Sequence, residues 1–480
     1  MKTNTRRQPP KKYTHGGCRA ANISAVAELR RSVYGCFLWE DSFYEGGIYI
    51  GKRISDLVSQ INDPKDAAAI AYEARNTHHL RHVPLLIVCA MAERGDCGDI
   101  VRKLLPGVIQ RLDEVTELVA IWWKDGKRPL PASFKRGLAK ALENFSEYQF
   151  KKYGSKKSEV TLRDVFRLIH PKPKSGMAAT YQAVAKGTLE PADTWEVALS
   201  RGDDKCETFS RLLRENGLGY LALLRNLRNM VNAGVSVPLI ADALRARRGA
   251  EKVLPFRYVS AARACPQLEP LIDEALCASI GEQSPLPGKT IVLVDVSHSM
   301  DAPLSGRSDM TRVDAACALA SVINAEDLRV FSFSDKVIEV PPRRGMAGVD
   351  AVSKSQPHQW THLASALAEI NKIPHDRLIV ITDEQCTQEA IPHPIAQLAY
   401  MINVGTYQNG VGYRNGWTHI DGFSDGVIRF IHASEGRDAN ATSAGPGRGR
   451  EAADGTPQGQ DPGVLDAEPG AKPSWPPREG

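Results

Sequence analysis

Five oxygen-bearing side chains in the second half of the sequence have the types and spacing of a metal site. Asp295, Ser297 and Ser299 fall at alternate positions of the run Asp295-Val296-Ser297-His298-Ser299-Met300. On a tight turn, a carboxylate and two hydroxyls at that spacing converge on one point. Thr361, just ahead of a helix-like stretch, offers a third hydroxyl. Asp383, directly after the apolar run Leu378–Thr382, offers a second carboxylate. All five are hard oxygen donors, the kind that Mg²⁺ prefers, with Mn²⁺ as the alternative. The competing assignment is that these side chains only cap turns and helix N-termini. The apolar strand leading into Asp295 and the strand-terminal position of Asp383 together argue against it. No nucleophile and base pair stands beside them, and the chain has neither a P-loop nor an H-E-x-x-H motif. A metal-dependent nuclease would need more carboxylates around one or two ions. The expectation is therefore binding rather than catalysis.

A site of this kind needs strand ends to hold it, because open α/β sheets bind ligands at the carboxyl ends of their strands. The required pattern begins after Pro285, Pro287 and Gly288, where Lys289–Asp295 (KTIVLVD) is a short apolar run. A helix-like stretch (Val313–Ile323), a strand (Leu328–Phe333), a helix (Leu363–Ile370), a strand (Leu378–Thr382), a helix (Pro394–Leu398) and a strand (Ala399–Val404) follow. Strands alternating with helices predict a doubly wound parallel sheet buried on both faces. This domain is assigned to residues 286–435, with its last apolar segment at Val427–Ile431.

From Ile23 to Ile280 the pattern is helical throughout. Segments such as Asp66–Arg75, Val83–Ala92, Phe134–Glu147 and Gly219–Val231 repeat apolar residues at three- and four-residue spacing, separated by short Gly, Pro or Asn breaks. Many helices in series without a heptad predict an irregular helical-repeat (HEAT-like) domain over residues 23–285, with a compact multi-helix domain as the alternative. The two ends, 1–22 and 436–480, are rich in Gly, Pro and charge and poor in large apolar residues, and are expected to be disordered.

Bulk composition sets the remaining limits. The chain has 480 residues, 42% hydrophobic and 24% charged, and no apolar run long enough to span a membrane. Met1–Gly17 is polar and basic and does not have the form of a secretory signal. Nine cysteines, an odd number with no C-x-x-C pair, suggest free thiols in a reducing compartment, so a cytoplasmic location is expected. Charge is lopsided: residues 1–285 hold 44 Lys and Arg against 32 Asp and Glu (+12), and the remainder is −7. A basic body suggests a polyanionic partner.

The five-residue pattern resembles the metal-ion-dependent adhesion site of the von Willebrand factor A fold, with all positions filled. The helical part resembles the TROVE domain of the Ro autoantigen family. The likeness rests on the stretch around Ser32–Tyr49 (RSVYGCFLWEDSFYEGGIYI), on Leu168–Gly176 (LIHPKPKSG), on Tyr220–Met230 (YLALLRNLRNM) and on Leu254-Pro255-Phe256-Arg257. After the metal motif, Val330–Asp335 (VFSFSD) and Asp421–Phe430 match the family's A domain. Three departures stand out: Gln359-Trp360 before the metal Thr, Glu384-Gln385 after Asp383, and His298 where Gly is common. None removes a ligand, although the Trp could change access to the metal.

The resemblance implies a monomeric ring of helical repeats closed by an A domain. It also implies binding of small non-coding (Y-like) RNAs and of misfolded RNAs with single-stranded 3′ ends, in RNA quality control beside an exoribonuclease. Residues suited to RNA are Arg136, Lys151, Lys152, Lys156, Lys157, His170, Lys172 and Lys174, the cations neutralising phosphates. Further candidates are Arg163 and Arg167, the polar edge His78, His79, Arg81 and His82, the pair Arg225 and Arg228, and the stacking surfaces Trp122 and Trp123. An ordinary solvated face would look the same in sequence, and adjacent Trp residues more often pack a core. The rival to RNA binding is a metal-dependent scaffold that takes an acidic protein ligand through the A domain alone.

Overall fold

A computed structural model describes residues 12–34, 47–154, 159–253, 255–281, 284–304, 310–386, 390–405, 407–413, 416–423, 427–428, 430–432 and 434–435. Met1–His432 forms one compact unit, and Ala433–Gly480 is separate from it. The expected disordered segment 436–480, like Lys156 and Lys157, lies outside the described residues.

The region between Ala25 and Gly281 is helical from end to end among the described residues. Its first half is built on an apolar core running from Leu29 to Val184, in which residues such as Ile54, Leu86, Leu105 and Phe134 are fully buried. This is what spacing at three and four predicts, because one stripe of each helix must meet its neighbours. A second core starts at Phe209 and does not stop where the helices end. It continues through Tyr258, Leu276 and Val294 to Ile431. Secondary structure changes at Leu286, but packing does not.

Six strands follow: β1 (Leu286–Asp295), β2 (Ala325–Phe333), β3 (Val337–Val340), β4 (Arg377–Thr382), β5 (Leu398–Asn403) and β6 (Thr418–Asp421). They form one sheet in the order β3-β2-β1-β4-β5-β6. Alternation along β1 sends Val292 and Val294 into the core shared with the helical body. Ile291 and Leu293 go to the opposite core, beside Leu363, Leu367 and Met401. Both faces are thus covered, as a continuous apolar run requires.

The structure corrects three expectations. The sheet is not wholly parallel, because β3 runs antiparallel to β2. Only Ser334–Lys336 joins them, far too short for a crossover. No helix forms over Pro394–Leu398. Prolines at 392 and 394 disfavour one, and Asn371 pins the segment by donating to the His393 carbonyl and accepting from the Ile395 amide. The tail assigned to residues 1–22 is ordered over residues 12–22, the part of it that lies among the described residues. Tyr13 and Arg19 form a β-bridge, and Cys18, Ala20 and Ala21 are buried. Backbone hydrogen bonds and small side chains order this segment, so its shortage of large apolar residues was no guide. A Cβ on Gly16 would lie 2.7 Å from the Cys386 carbonyl oxygen, which is why a residue without one sits there.

Candidate metal centre and nucleic-acid interface

β1 lies between β2 and β4, so successive connections leave it in opposite directions, and a crevice opens at the carboxyl ends of β1 and β4. Pairing Val294 with Ile381 brings Asp295 beside Thr382. The Thr382 hydroxyl donates to Asp295 Oδ2 at 2.6 Å, and the Ser297 amide donates to Asp295 Oδ1 at 2.9 Å. The Thr361 hydroxyl donates to Ser297 Oγ at 2.8 Å, and Ser299 Oγ lies 3.3 Å from the same atom. Asp383 Oδ1 accepts from the Gln385 amide at 3.2 Å. Asp295, Ser297, Thr361 and Asp383 are buried, and Ser299 is half-buried.

This pocket buries two carboxylates, Asp295 and Asp383. Burial first, and then the charge of Asp383, raise the Asp295 carboxyl to about 7. Among the described residues no group of three or more His, Cys, Asp or Glu side chains has metal-ligand geometry. The candidate site instead combines two carboxylates with three hydroxyls. Oxygen-only donors fit a hard divalent ion, and Asp295, Ser297, Ser299, Thr361 and Asp383 are the residues that would hold it.

The rim is unusual. Trp360 is 70% exposed, although its loop is fixed. Its amide donates to Asp335 Oδ1, its carbonyl accepts from the Ser334 hydroxyl, and the neighbouring Gln359 carbonyl accepts from the His298 amide. The substitution of Gln-Trp for small residues therefore builds a rigid aromatic edge beside the site.

On the other side of Asp383, Glu384 adopts positive φ and turns its carboxylate into a buried charged cluster. Arg31, from helix Ala25–Tyr34, donates to Glu384 Oε1 at 2.9 Å and lies 3.6 Å from Asp421 Oδ1. Glu384 also pairs with His419 and accepts from the Val411 and Gly412 amides. Burial opposes the charge of Glu384, but Arg31 and His419 outweigh it and hold the carboxyl far below the usual range. Burial likewise opposes a charged His419, yet Asp421 and Glu384 lift it to about 9. Gly410 lies so close that a Cβ would strike both Glu384 and Arg31.

In the helical body, the candidate His170 ends helix Leu162–Ile169 in left-handed conformation (φ 47°, ψ 58°), its amide donating to the Phe166 carbonyl. Such geometry costs a non-glycine residue about 1–3 kcal/mol and clusters at functional sites. With Phe166, Arg167, Pro171, Pro173, Tyr181 and Gln182, His170 lines a cavity of about 450 Å³.

With these geometries in hand, comparison with known proteins is informative. Residues 182–274 match the family model of the TROVE domain. A crystal structure of the Deinococcus radiodurans Ro (RSR) protein matches with a TM-score of 0.55 and 17% identity, over 85% of this chain and 99% of that one. No curated protein sequence matches the chain. Residues 182–274 are thus similar to a TROVE domain, and the fold as a whole is that of the Ro protein. The TROVE match takes in Tyr220–Met230 and Leu254–Arg257 but neither the His170 loop nor the segment around Ser32–Tyr49.

Within the helical body the predicted RNA residues fall into groups. Arg136, His170, Lys172 and Lys174 are exposed, and Arg136 sits on helix Ala132–Leu142, which packs against the helix that His170 terminates. Lys151 is engaged by Glu147 at 2.6 Å, and Lys152 lies over the Tyr148 and Tyr153 rings. Arg163 donates to the Ala185 carbonyl. Arg225 and Arg228 are both exposed, and neither forms an ion pair among the described residues.

Two other groups have structural work. Arg81 bridges Asp113, Glu114 and Glu117, while His78 stacks on Tyr34. The Trp122 and Trp123 indoles donate to the Pro129 and Arg128 carbonyls, and the Arg128 guanidinium covers the Trp122 ring at 3.6 Å. Neither tryptophan face is a clear stacking platform.

Sequence reasoning missed Arg31, Arg312, Thr382 and Glu384. No local signal marks Arg312, which stands two residues before Asp314 as a cation in any exposed first turn would.

Proposed function

We propose that the helical body binds RNA through the face that carries His170. Its targets are small structured, Y-like non-coding RNAs and the single-stranded 3′ ends of misfolded RNAs. The protein then serves RNA quality control in the cytoplasm, as a monomer, delivering RNA to an exoribonuclease rather than cutting it. The observation that carries this proposal is the cavity between helices Leu162–Ile169 and Ala178–Lys186. It combines aromatic walls with Arg167 and His170 and opens beside exposed Lys172 and Lys174. Such a surface suits an unpaired base and its phosphates. The A domain, in the same proposal, holds Mg²⁺ through the five residues above and offers it to an acidic protein ligand.

The decisive experiment compares an RNA hairpin carrying a 3′ single-stranded tail with a blunt duplex over a salt series. Tail-dependent binding is expected, with log K falling by about 0.7 per neutralised phosphate for each decade of salt. Lys172→Ala with Lys174→Ala should flatten that slope by about 1.4. Equal, weak binding of both RNAs at low salt would sink the proposal. The rival, a metal-dependent scaffold that ignores RNA, is favoured by one observation, the exposed Trp360 beside the metal residues. It predicts a protein ligand that Asp295→Ala releases while RNA binding is absent throughout.

A further inference from the structure

Arg312 is a cation buried against the candidate metal site. It is the first residue of helix Arg312–Ser321, whose start is fixed by a capping box between Thr311 and Asp314. Only 1% of the residue is exposed, and its Nη1 lies 3.4 Å from Asp383 Oδ2. That separation is long for a charge-assisted hydrogen bond, which runs at about 2.7–2.9 Å. The guanidinium still stands within ion-pair distance of the carboxylate. The backbone that carries Arg312 is anchored from outside the sheet as well, because Arg263 of the helical body pairs with Asp314 at 2.6 Å.

We propose that Arg312 is a built-in competitor for the metal: it neutralises Asp383 when no ion is bound, and an incoming divalent ion must share or displace it. This rests on the metal reading of the five-residue site. The charge inventory gives the reason. Asp295 and Asp383 would present two negative charges to an ion, but Arg312 removes one of them within contact distance. In a buried setting a like charge so close to the ion weakens its binding strongly. The capping box and the Arg263 ion pair fix the backbone at Arg312, so the guanidinium stays within reach of Asp383 whether or not an ion is bound.

The test is Mn²⁺ binding to the full chain, followed by the electron paramagnetic resonance signal of free Mn²⁺. Arg312→Met, which keeps the bulk and removes the charge, should bind Mn²⁺ about tenfold tighter or more. Arg312→Lys should stay near the parent protein, and Asp383→Asn should lose binding. Arg312→Gln carries the same expectation as the Met variant and replaces it if that one does not fold, as judged by a single cooperative thermal transition. Mn²⁺ binding by the parent that neither uncharged variant tightens overturns the competitor role alone, leaving Arg312 a structural partner of Asp383. No Mn²⁺ binding by any protein in the series overturns the metal reading together with it.

Discussion

The helical body meets the sheet at two seams built on opposite principles. At the carboxyl-terminal seam, helices Pro255–Ala264 and Glu269–Gly281 pack on helices Arg312–Ser321 and Gly345–Ser353 through one continuous apolar core. At the amino-terminal seam, helix Ala25–Tyr34 meets β6 and the β4 loop through Arg31, Glu384, His419, Asp421 and Tyr413. Apolar packing is non-directional and tolerates small shifts. A buried charge cluster tolerates almost none, since each group needs its partner in place. The first seam joins segments close in sequence and needs only adhesion. The second joins residues some 350 positions apart (Arg31 and Glu384 are separated by 353), where register must come from geometry. The difference suggests that charge is used here for specificity of closure rather than for strength.

Four experiments break or sharpen that contrast. The largest effect is expected from Arg31→Ala, which strands Glu384 and Asp421 and should cost about 3–5 kcal/mol in denaturant unfolding. A loss under about 1 kcal/mol would mean the cluster is solvated in solution. Next, Leu276→Ala in the apolar seam should cost about 2–5 kcal/mol, with no added dependence on pH. Third, the charged seam alone should respond to alkali. His419 is raised from its ordinary value to about 9, so its contribution is complete below about pH 6.5 and fades as pH climbs through 9. Up to about 3 kcal/mol should disappear over that range and be absent from a His419→Gln variant. Glu384, held low, keeps its share until strongly acid pH. Smallest is Arg245→Ala, which breaks an exposed pair with Glu274 and should leave the melting curve unchanged within error.

The two seams also mark what could be read from sequence. The metal residues were legible because three of them share a six-residue turn and the other two follow recognisable strand and helix signals. The sheet was legible through its apolar runs, with the exception of its two four-residue edge strands, β3 and β6. The helical body was legible as helices. Arg31 and Arg312 were not, because their partners lie 353 and 71 residues away and nothing local distinguishes a buried arginine from a solvated one. The same blindness applies to Arg81, which looks like an RNA contact and is in fact shared among three carboxylates. Residues 12–22 failed for a different reason. Their order depends on backbone partners such as the Gly410 carbonyl, which composition does not reveal.

That ordered segment has a practical side. The His15 amide donates to Gln385 Oε1, the Ala21 amide to the Gly410 carbonyl, and Asn409 reaches back to the Tyr13 carbonyl. Gln385 is the same residue whose amide steadies Asp383. A purification handle placed near residue 12, or a trimmed version beginning at residue 23, therefore edits the surroundings of the metal carboxylate. Handles are better attached at the other end, beyond Glu435.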